Sequence, residues 1–439
     1  MILAGKKVVV VGMALSGEAA VKLLLAKGAR VTAVDSAKSG EVCGVAIQAQ
    51  TDSAFMNADL AVVSPGVPAD ADILRRARER GTQIVGDVEL ASWFLEGDLI
   101  GITGSNGKTT TTALIGHILQ EAGIPCQVGG NIGGTAPAAM VETSRPGQWN
   151  VMELSSFQLE TTETLHPHIG IALNVTDNHL DRHYTLANYA AAKGKLFVNQ
   201  APGDFAILNA DNIHTVGFAR LTRAVKLWFS GTKSVPEGAW IKDGQIVLDG
   251  EPLLATSEIP LKGRHNYENV MAAAIATHLA GASLPAIAAA VKSFPGVEHR
   301  LELVRTLNGV AYYNDSKATS VDATMKAIEA FPGLLWIILG GKDKNSDYTV
   351  LREPLRGKAH AALLIGASAP KIAAQLDGSV PLIDAGTLDV AVQRAANQAQ
   401  PGDIVLLAPA CASFDQFHSY EHRGQVFKKL VSDLEERSS

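Results

Sequence analysis

The sequence predicts an α/β protein of three domains, each with a largely parallel sheet: a Rossmann-like N-terminal domain, a central phosphate-loop domain and a Rossmann-like C-terminal domain. The chain has 439 residues, which is too many for one ordinary hydrophobic core. Short apolar β-rich runs alternate with helix-length segments, as in parallel sheets with crossover helices. Composition shifts and turn residues place the domains at 1–95, 96–296 and 297–439.

The first block opens with an apolar run at Lys7–Val11, followed by a glycine-rich turn and a helical segment. Gly28 is expected to end that helix, because glycine adopts the left-handed backbone that closes many helices. Further strands are predicted at Val31–Val34 and Leu60–Val63. The block therefore has the order of a small Rossmann-type unit.

The second and third blocks repeat the alternation of strands and helices. In the second block the strands are predicted at Leu99–Thr103, Asn150–Leu154, Ile169–Val175 and Phe205–Leu208, with a helix at Leu186–Val198. In the third block they are predicted at Val310–Tyr313, Leu335–Leu339, Ala362–Ile365 and Ile404–Leu407.

Composition excludes several classes of protein. Hydrophobic residues make up 47% of the chain and charged residues 19%, as in a compact folded protein rather than a disordered one. The net charge of −6 gives no reason to expect nucleic acid. No apolar stretch reaches the ~18–20 residues that a membrane span needs. We therefore expect no membrane span. The three widely spaced cysteines predict reduced thiols, as in a cytoplasmic protein.

The strongest single motif is a glycine-rich loop between the strand Leu99–Thr103 and the next helix. Glycines let backbone N–H groups point at phosphate oxygens, and the helix N-terminus adds partial positive charge. Lys108 would neutralise the β- and γ-phosphates of ATP, and the Thr109 hydroxyl could hold Mg²⁺. The loop is a shortened form of the usual pattern, because Ile102 occupies the position of its first glycine. The loop residues predicted to bind ATP are Gly104, Ser105, Asn106, Gly107, Lys108, Thr109 and Thr110.

Polar residues follow two other predicted strands of the central block. Glu153 ends one of them, and a cluster that contains His179 leaves the next. Loops at the carboxyl ends of parallel strands are where open α/β sheets bind ligands. Because Mg²⁺ requires oxygen ligands, Glu153 suits a Mg²⁺ site, and His179 could bind metal or orient a carboxylate. Lys108, Glu153 and His179 are therefore expected to converge.

The turn Gly12–Gly17 follows the first strand, and Asp35 ends the second. The turn approximates the dinucleotide-binding pattern, with Ala14 at the middle glycine position. Asp35 has the spacing of an acid that binds a ribose. The residues alone leave three interpretations open: an NAD site, a site for a nucleotide-linked substrate, and a turn with no ligand.

Three loops of the third block follow predicted strands and concentrate lysines, carboxylates and hydroxyls. This composition suits an acidic amino-acid substrate and a phosphoryl group in a charged transition state. The loops are Asn314–Thr319, Gly340–Lys344 and Pro409–Phe417, and Glu298–Arg300 is a fourth polar segment.

Taken together, these motifs resemble those of the Mur ligases, and the resemblance covers essentially the whole chain. The motifs that carry it, in chain order, are the phosphate loop, Glu153–Leu159, Asn174–Asp181, His265–Asn269, His299-Arg300, Asn314–Thr319 and Ala410–Phe417. The resemblance implies a UDP-sugar domain, an ATPase domain and an amino-acid domain. It also implies ATP-dependent addition of D-glutamate to UDP-N-acetylmuramoyl-L-alanine through an acyl phosphate, in peptidoglycan precursor synthesis. We expect the protein to be a monomer.

The resemblance further implies a role for each matching residue. The catalytic set is Lys108, His179, Lys193 and Lys317, and the nucleotide contacts outside the phosphate loop are Asn269, Arg300 and Asp315. The implied Mg²⁺ set is Thr109, Glu153, His179 and carbamylated Lys193. The UDP-sugar contacts are Leu15, Ser16, Asp35, Ser36, Gly66, Asn131 and Gln158. Thr319, Lys344, Ser413 and Tyr420 surround D-glutamate. The chain departs from the family at Ala37 and Lys38, where relatives have an arginine, and at Tyr420, where they have phenylalanine.

Four other functions compete with this interpretation. A sibling Mur ligase would differ in the third-domain loops, and a folate polyglutamate ligase would lack the first domain. An NAD-dependent oxidoreductase would leave the central phosphate loop unexplained. A non-catalytic UDP-sugar-binding module would not need Lys108, Glu153 and His179 together.

Overall fold

A computed structural model describes residues 1–132, 135–261, 263–343 and 345–435. The chain separates into two compact units. The first comprises Met1–Ile259 and His265–Phe294, and the second comprises Pro260–Arg264 and Pro295–Ser439. The first unit holds two sheets and the second holds one. The α/β class with three mostly parallel sheets is thus confirmed, while the domain boundaries stay a prediction.

The first sheet has six strands in the order β3-β4-β2-β1-β5-β6, and only the β3–β4 pair is antiparallel. Its strands are β1 Lys7–Val11, β2 Arg30–Asp35, β3 Gly40–Val42, β4 Val45–Ala49, β5 Leu60–Val63 and β6 Gln83–Gly86. Its helices are α1 Leu15–Ala26, α2 Asp72–Glu79 and α3 Asp87–Ser92, with a 3₁₀ turn at Asp52–Phe55. Gly28 ends α1 with a φ of 76°, as the sequence predicts.

The second sheet has nine strands in the order β15-β14-β13-β12-β11-β10-β7-β9-β8. Its strands are β7 Asp98–Thr103, β8 Cys126–Gly130, β9 Trp149–Glu153, β10 Ile169–Ala172, β11 Phe205–Asn209, β12 Val225–Ser230, β13 Gly238–Lys242, β14 Gln245–Leu248 and β15 Glu251–Ala255. Its helices are α4 Lys108–Glu121, α5 Pro137–Met140, α6 Ser156–Leu159, α7 Leu180–His183, α8 Leu186–Gly194, α9 Ile213–Phe218, α10 Arg264–Leu279 and α11 Leu284–Ser293. Two 3₁₀ turns lie at Lys195–Phe197 and Thr256–Glu258. Only the β13–β14 and β14–β15 pairs are antiparallel.

The third sheet has six strands in the order β16-β17-β21-β18-β19-β20, with one antiparallel pair, β16–β17. Its strands are β16 Glu302–Leu307, β17 Val310–Asn314, β18 Leu335–Gly340, β19 Ala359–Ile365, β20 Leu382–Gly386 and β21 Ile404–Leu407. Its helices are α12 Val321–Glu329, α13 Arg352–Leu355, α14 Ala369–Leu376, α15 Leu388–Gln398 and α16 Tyr420–Ser432, with a 3₁₀ turn at Thr349–Leu351.

Continuous apolar runs form the central strands because both faces of each sheet are covered. In β1, Val8 and Val10 pack into one cluster, whereas Val9 and Val11 pack into another on the opposite face. In β18, Ile337 lies in one cluster and Ile338 in the other. Among the described residues, no helix is both long and apolar enough to cross a membrane.

The strand β10 is shorter than the sequence predicts, and the cause lies in the neighbouring loop. The predicted strand extends to Val175, but the regular pairing ends at Ala172. Beyond it, the backbone carbonyl and side-chain amide of Asn174 bind the loop that follows β7. The polar end of this run therefore serves the phosphate loop rather than the sheet.

A fully buried carboxylate, Glu89 on α3, joins the first sheet to the central one. It accepts hydrogen bonds from the backbone N–H groups of Glu163, Thr164 and Leu165, at 2.9, 2.8 and 3.2 Å. The Trp93 indole N–H and the Thr164 hydroxyl also donate to it. A buried carboxylate is tolerated only when its oxygens are paired in this way.

We expect Glu89→Ala to lower the free energy of unfolding by roughly 3–5 kcal/mol, because it leaves several buried donors without an acceptor. Glu163→Ala is the matched control, since that side chain is exposed and accepts a hydrogen bond from the exposed Gln83. Urea unfolding of both variants measures the difference. Equal losses would show that Glu89 does not tie the two sheets together.

Candidate active site

The phosphate loop lies between β7 and α4, and its shape depends on two glycines. Gly104 and Gly107 have φ values of 157° and 84°. A Cβ at Gly107 would collide with the amide oxygen of Asn269, and one at Gly104 would lie 3.0 Å from the Cβ of Leu173. Both positions therefore require glycine, because other segments of the same chain approach the loop closely.

A second strand end holds this loop in place. The backbone N–H groups of Ser105 and Asn106 donate to the carbonyl and side-chain oxygens of Asn174, both at 2.9 Å. The Ser105 hydroxyl pairs with the backbone of Thr176. Because these two amides are engaged, an anion would meet the N–H groups of the first turn of α4, which have no partner within the helix.

Two lysines share one oxygen of the phosphate loop. Lys108 and Lys193 each donate to the backbone carbonyl of Gly104, at 2.8 Å. Lys193 is 1% exposed, and its Nζ lies 4.4 Å from the centre of the Tyr189 ring. Burial and the neighbouring Lys108 charge hold the pKa of Lys193 well below its ordinary value, although Glu153 acts in the opposite direction. The site therefore disfavours a charged Lys193 ammonium.

Glu153 ends β9 beside these lysines, and one of its oxygens is available. Its Oε1 accepts a hydrogen bond from Asn131 at 3.0 Å. Its Oε2 is buried without a hydrogen-bond partner among the described residues. A buried carboxylate oxygen without a donor suits a hard cation, so the residues present fit a Mg²⁺ ion.

The predicted convergence of three strand ends is confirmed at the level of topology. The strands β9, β7 and β10 are neighbours in the sheet, so Glu153, Lys108 and the segment with His179 leave the same edge. His179 is exposed, and its ring lies 4.9 Å from that of Phe157 and 6.0 Å from that of Tyr189. Thr109 is buried at the start of α4, and Thr110 is half-buried beside it. Their roles at a metal or phosphate stay predictions.

The predicted UDP-sugar residues of the first sheet lie at the ends of β1, β2 and β5. The Asp35 carboxylate accepts backbone hydrogen bonds from Met13, Ala37 and Lys38, which lower its pKa. Asp35 thus shapes its own loop, while its remaining lone pairs could still meet a ribose. Leu15, Ser36 and Gly66 are exposed, and Ser16 is half-buried. Asn131 and Gln158 follow β8 and β9 of the central sheet instead, and Asn131 is exposed. Gln158 is buried, and its amide oxygen accepts from Ser155.

The glycine-rich turn of the first sheet is explained by packing. A Cβ at Gly17 would collide with the carbonyl oxygen of Gly12, and Gly12 itself has a φ of 88°. The Ser64 hydroxyl donates to that same carbonyl at 2.7 Å. The close contact between α1 and the sheet therefore explains both glycines, and this explanation does not require a bound dinucleotide.

One residue of this region, Asp87, was not singled out by the sequence patterns. It begins α3 and is 1% exposed, and its Oδ2 accepts no hydrogen bond in the described part of the chain. Burial raises the pKa of Asp87 to about 6, while the nearby Ser16 and Gln158 side chains and the Val88 amide partly oppose that shift. Asp87 thus lies beside two of the predicted UDP-sugar residues. An aspartate at a helix start is ordinary, so spacing alone did not distinguish it.

We expect the unfolding free energy of Asp87→Asn to increase relative to that of wild type as the pH rises. The pKa of Asp87 is raised in the fold to about 6. The wild-type protein therefore loses stability as the pH rises through that value, and the asparagine variant does not. Between pH 5 and pH 8 the difference in unfolding free energy should move by roughly 1–2 kcal/mol in favour of the variant.

Urea unfolding at several pH values measures this shift. Asp59→Asn is the control, because the Lys7 amide lowers the pKa of the exposed Asp59 below its ordinary value, so its difference from wild type should not change between pH 5 and pH 8. A difference between Asp87→Asn and wild type that is independent of pH would contradict the assignment.

In the second unit, Asp315 and Thr319 follow β17 and Ser413 follows β21, and these two strands are parallel neighbours. Arg300 precedes β16, and Tyr420 begins α16. Asp315 is buried, and burial raises its pKa to about 7 although the Arg300 charge opposes the shift. The Lys317 Nζ lies 5.5 Å from the centre of the Tyr420 ring. Thr319 is half-buried and Ser413 is 2% exposed. Lys344, predicted to bind D-glutamate, lies outside the described residues.

Comparison with known proteins identifies the family. Residues 6–86 match the Mur ligase MurD-like N-terminal domain, residues 102–277 the Mur ligase middle domain, and residues 299–411 the glutamate ligase domain of Mur ligases. A UDP-N-acetylmuramoylalanine--D-glutamate ligase of Solibacter usitatus is 59% identical over 440 residues, which cover 99% of each chain. The chain belongs to the Mur ligase family.

A second relative and two solved structures agree with this assignment. A protein of Koribacter versatilis with the same name is 47% identical over 448 residues, covering 99% of this chain and 98% of its own. The UDP-N-acetylmuramate-alanine ligase of Thermotoga maritima has a TM-score of 0.61 at 16% identity, covering 97% of this chain and 99% of its own. The MurF ligase of Thermotoga maritima, solved in complex with ADP, has a TM-score of 0.61 at 17% identity, covering 98% and 96%. These two structures establish the shared Mur ligase fold.

Proposed function

We propose that this Mur ligase joins D-glutamate to UDP-N-acetylmuramoyl-L-alanine, with ATP converted to ADP and phosphate, in peptidoglycan precursor synthesis. The observation that carries the proposal is the 59% identity with the Solibacter usitatus ligase along both whole chains. The glycine-rich loop with its two lysines supports the use of ATP.

The central sheet supplies the ATP half of the reaction. The first turn of α4 offers N–H groups to the phosphates, and Lys108 adds a positive charge. Glu153 and Thr109 would hold Mg²⁺, with His179 and a carbamylated Lys193. When bound, the ion would neutralise the charge of the phosphate oxygens. We propose the nucleotide contacts Asn269, Arg300 and Asp315 on the family resemblance, and for Asn269 also on its contact with Gly107.

The proposed reaction needs positioning and charge neutralisation rather than a protein nucleophile. An oxygen of the alanyl carboxylate attacks the γ-phosphorus of ATP, and ADP leaves. The D-glutamate amine then attacks the carbonyl carbon of the acyl phosphate, and the tetrahedral intermediate expels phosphate. The amine loses a proton as the amide forms. Lys108 stabilises the charge that develops on the phosphoryl oxygens, and the family resemblance implies Lys317 as a further catalytic residue.

The second unit supplies the amino-acid half. Thr319, Ser413 and Tyr420 offer hydroxyl groups, and Lys317 and Lys344 offer ammonium groups, as an acidic amino acid requires. Because ATP is a co-substrate, we place the enzyme in the cytoplasm. We further propose that the enzyme acts as a monomer.

Phosphate release from ATP tests this function when each substrate is omitted in turn. We expect release only when UDP-N-acetylmuramoyl-L-alanine, D-glutamate and Mg²⁺ are all present. L-Glutamate should be at least ~10²-fold worse, because a site that bonds both carboxylates rejects a misplaced one. Equal release with L-glutamate or meso-diaminopimelate would favour a sibling ligase, and release that needs no UDP-sugar would exclude this reaction.

We also propose that Lys193 is carbamylated in the active enzyme. The neutral amine would add to carbon dioxide, forming an N–C bond and releasing a proton. Burial and the contact with the Gly104 carbonyl support this proposal, since an ammonium so close to Lys108 is repelled by it. The resulting carbamate would provide oxygen for Mg²⁺.

Lys193→Ala should lose ~10²–10⁴-fold in kcat, and acetate should restore part of it by filling the vacated space. Lys195→Ala is the matched control, because the Lys195 Nζ faces away and bonds the carbonyls of Glu160 and Thr162. A carbamate carbon signal from ¹³C-labelled bicarbonate should appear in wild type and the control, and should be missing in Lys193→Ala. The same signal in all three proteins would show that another group carries it.

A further inference from the structure

Arg423 is the largest fully buried side chain in the described part of the chain, and all three of its guanidinium nitrogens donate hydrogen bonds inside the second unit. It lies in the first turn of α16. Its Nε donates to the Ser316 hydroxyl and its Nη2 to the Ser316 carbonyl, both at 2.9 Å. Its Nη1 and Nη2 both donate to the Cys411 carbonyl at 3.2 Å. One planar fork therefore spans two separate loops.

No carboxylate neutralises this cation at short range. Among the described residues, no Asp or Glu oxygen lies within 4.0 Å of the Arg423 guanidinium. Burial lowers the pKa of Arg423 to about 10, with Asp415 acting in the opposite direction, so the group stays charged at neutral pH. A buried charge without an ion partner is costly even when all its N–H groups are hydrogen-bonded. The residue therefore needs an explanation beyond stability.

The two loops that Arg423 joins are the loops with the predicted amino-acid residues. Ser316 precedes Lys317 after β17, and Cys411 lies two residues before Ser413 after β21. The Ser316 hydroxyl also donates to the Tyr420 carbonyl at 2.8 Å. Arg423 and Tyr420 thus hold Ser316 from the same helical turn.

A third loop reaches the same guanidinium. A Cβ at Gly341, after β18, would lie 3.3 Å from the Arg423 Nη1. Lys342 pairs with Ala412 through two backbone hydrogen bonds, at 2.8 and 3.2 Å. The loops after β17, β21 and β18, which are neighbours in the sheet, therefore meet around one side chain.

We propose that Arg423 is the positioning residue of the amino-acid half of the site, an inference that rests on the proposed function. Its fork sets the spacing between the Lys317 loop and the Ser413 loop, so that both present their polar groups to one substrate. The geometry of the fork is the essential part. A lysine retains the positive charge but offers donors from a single point, and it cannot span Ser316 and the Cys411 carbonyl together.

Steady-state kinetics of Arg423→Lys and Arg423→Met test this role. We expect both variants to raise the KM for D-glutamate by about 10–100-fold, since small displacements of positioning loops are costly in rate and binding. The KM for UDP-N-acetylmuramoyl-L-alanine should change less than ~2-fold, because the predicted UDP-sugar residues belong to the other unit.

Arg305 supplies the matched control. It also donates to backbone carbonyls of the second unit, those of Val431, Ser432 and Leu434. Arg305→Lys and Arg305→Met should lower thermal stability without changing the KM for D-glutamate. Added guanidinium should restore part of the D-glutamate affinity of Arg423→Ala but not change Arg305→Ala. This rescue and Arg423→Lys decide the question if Arg423→Met fails to fold.

Two results would overturn the inference. Arg423→Lys with a wild-type KM for D-glutamate would show that the charge alone suffices. An equal rise in the KM values of all three substrates would show a general loss of structure. If the wild-type enzyme uses another amino acid, the proposed function fails. The Arg423 variants are then judged by the KM for that amino acid, so the two failures are distinguishable.

Discussion

Parallel strands that end at the same edge of a sheet are the constraint on which both halves of this enzyme depend. In the central sheet, β9, β7 and β10 bring Glu153, the phosphate loop and the Asn174 segment together. In the last sheet, β17, β21 and β18 do the same for three polar loops. The antiparallel strands β13–β15 and β16 lie away from these central positions. The apolar runs that build the sheets therefore also place the polar groups that leave them.

Four buried charged groups lie on the strands and helices around the sheets, and each has a different counterpart. Glu89 is satisfied by backbone N–H groups, so it contributes to structure alone. The Lys193 Nζ contacts a backbone carbonyl and the face of an aromatic ring, and one Glu153 oxygen has no hydrogen-bond donor among the described residues. Arg423 donates hydrogen bonds to two backbone carbonyls and a hydroxyl. The unsatisfied Glu153 oxygen marks a candidate chemical site, whereas the satisfied groups Glu89 and Arg423 hold separate segments of the chain in place.

Much of the fold and part of the site could be predicted from the sequence. The strands Lys7–Val11, Leu60–Val63 and Ile404–Leu407 lie where their apolar runs indicate, because strands covered on both faces are continuously apolar. Short edge strands such as Gly40–Val42 carry no such run. An arginine in a helix is usually exposed, so the sequence does not single out Arg423. It nevertheless precedes Phe427 and Val431 at helical spacing on the buried face of α16. Asp87 and Glu89 depend on segments distant in sequence, which local patterns do not reveal.

The phosphate loop also has a consequence for the order of synthesis and folding. Its amides are held by Asn174, 68 positions beyond Asn106, and its Gly107 is covered by Asn269 on α10. A growing chain that has emerged only as far as α4 has the residues of the loop but neither of its supports. Since N-terminal segments emerge first from the ribosome, the loop gains its shape only when most of the central domain has been made. A nascent fragment would thus have no finished pocket with which to sequester nucleotide.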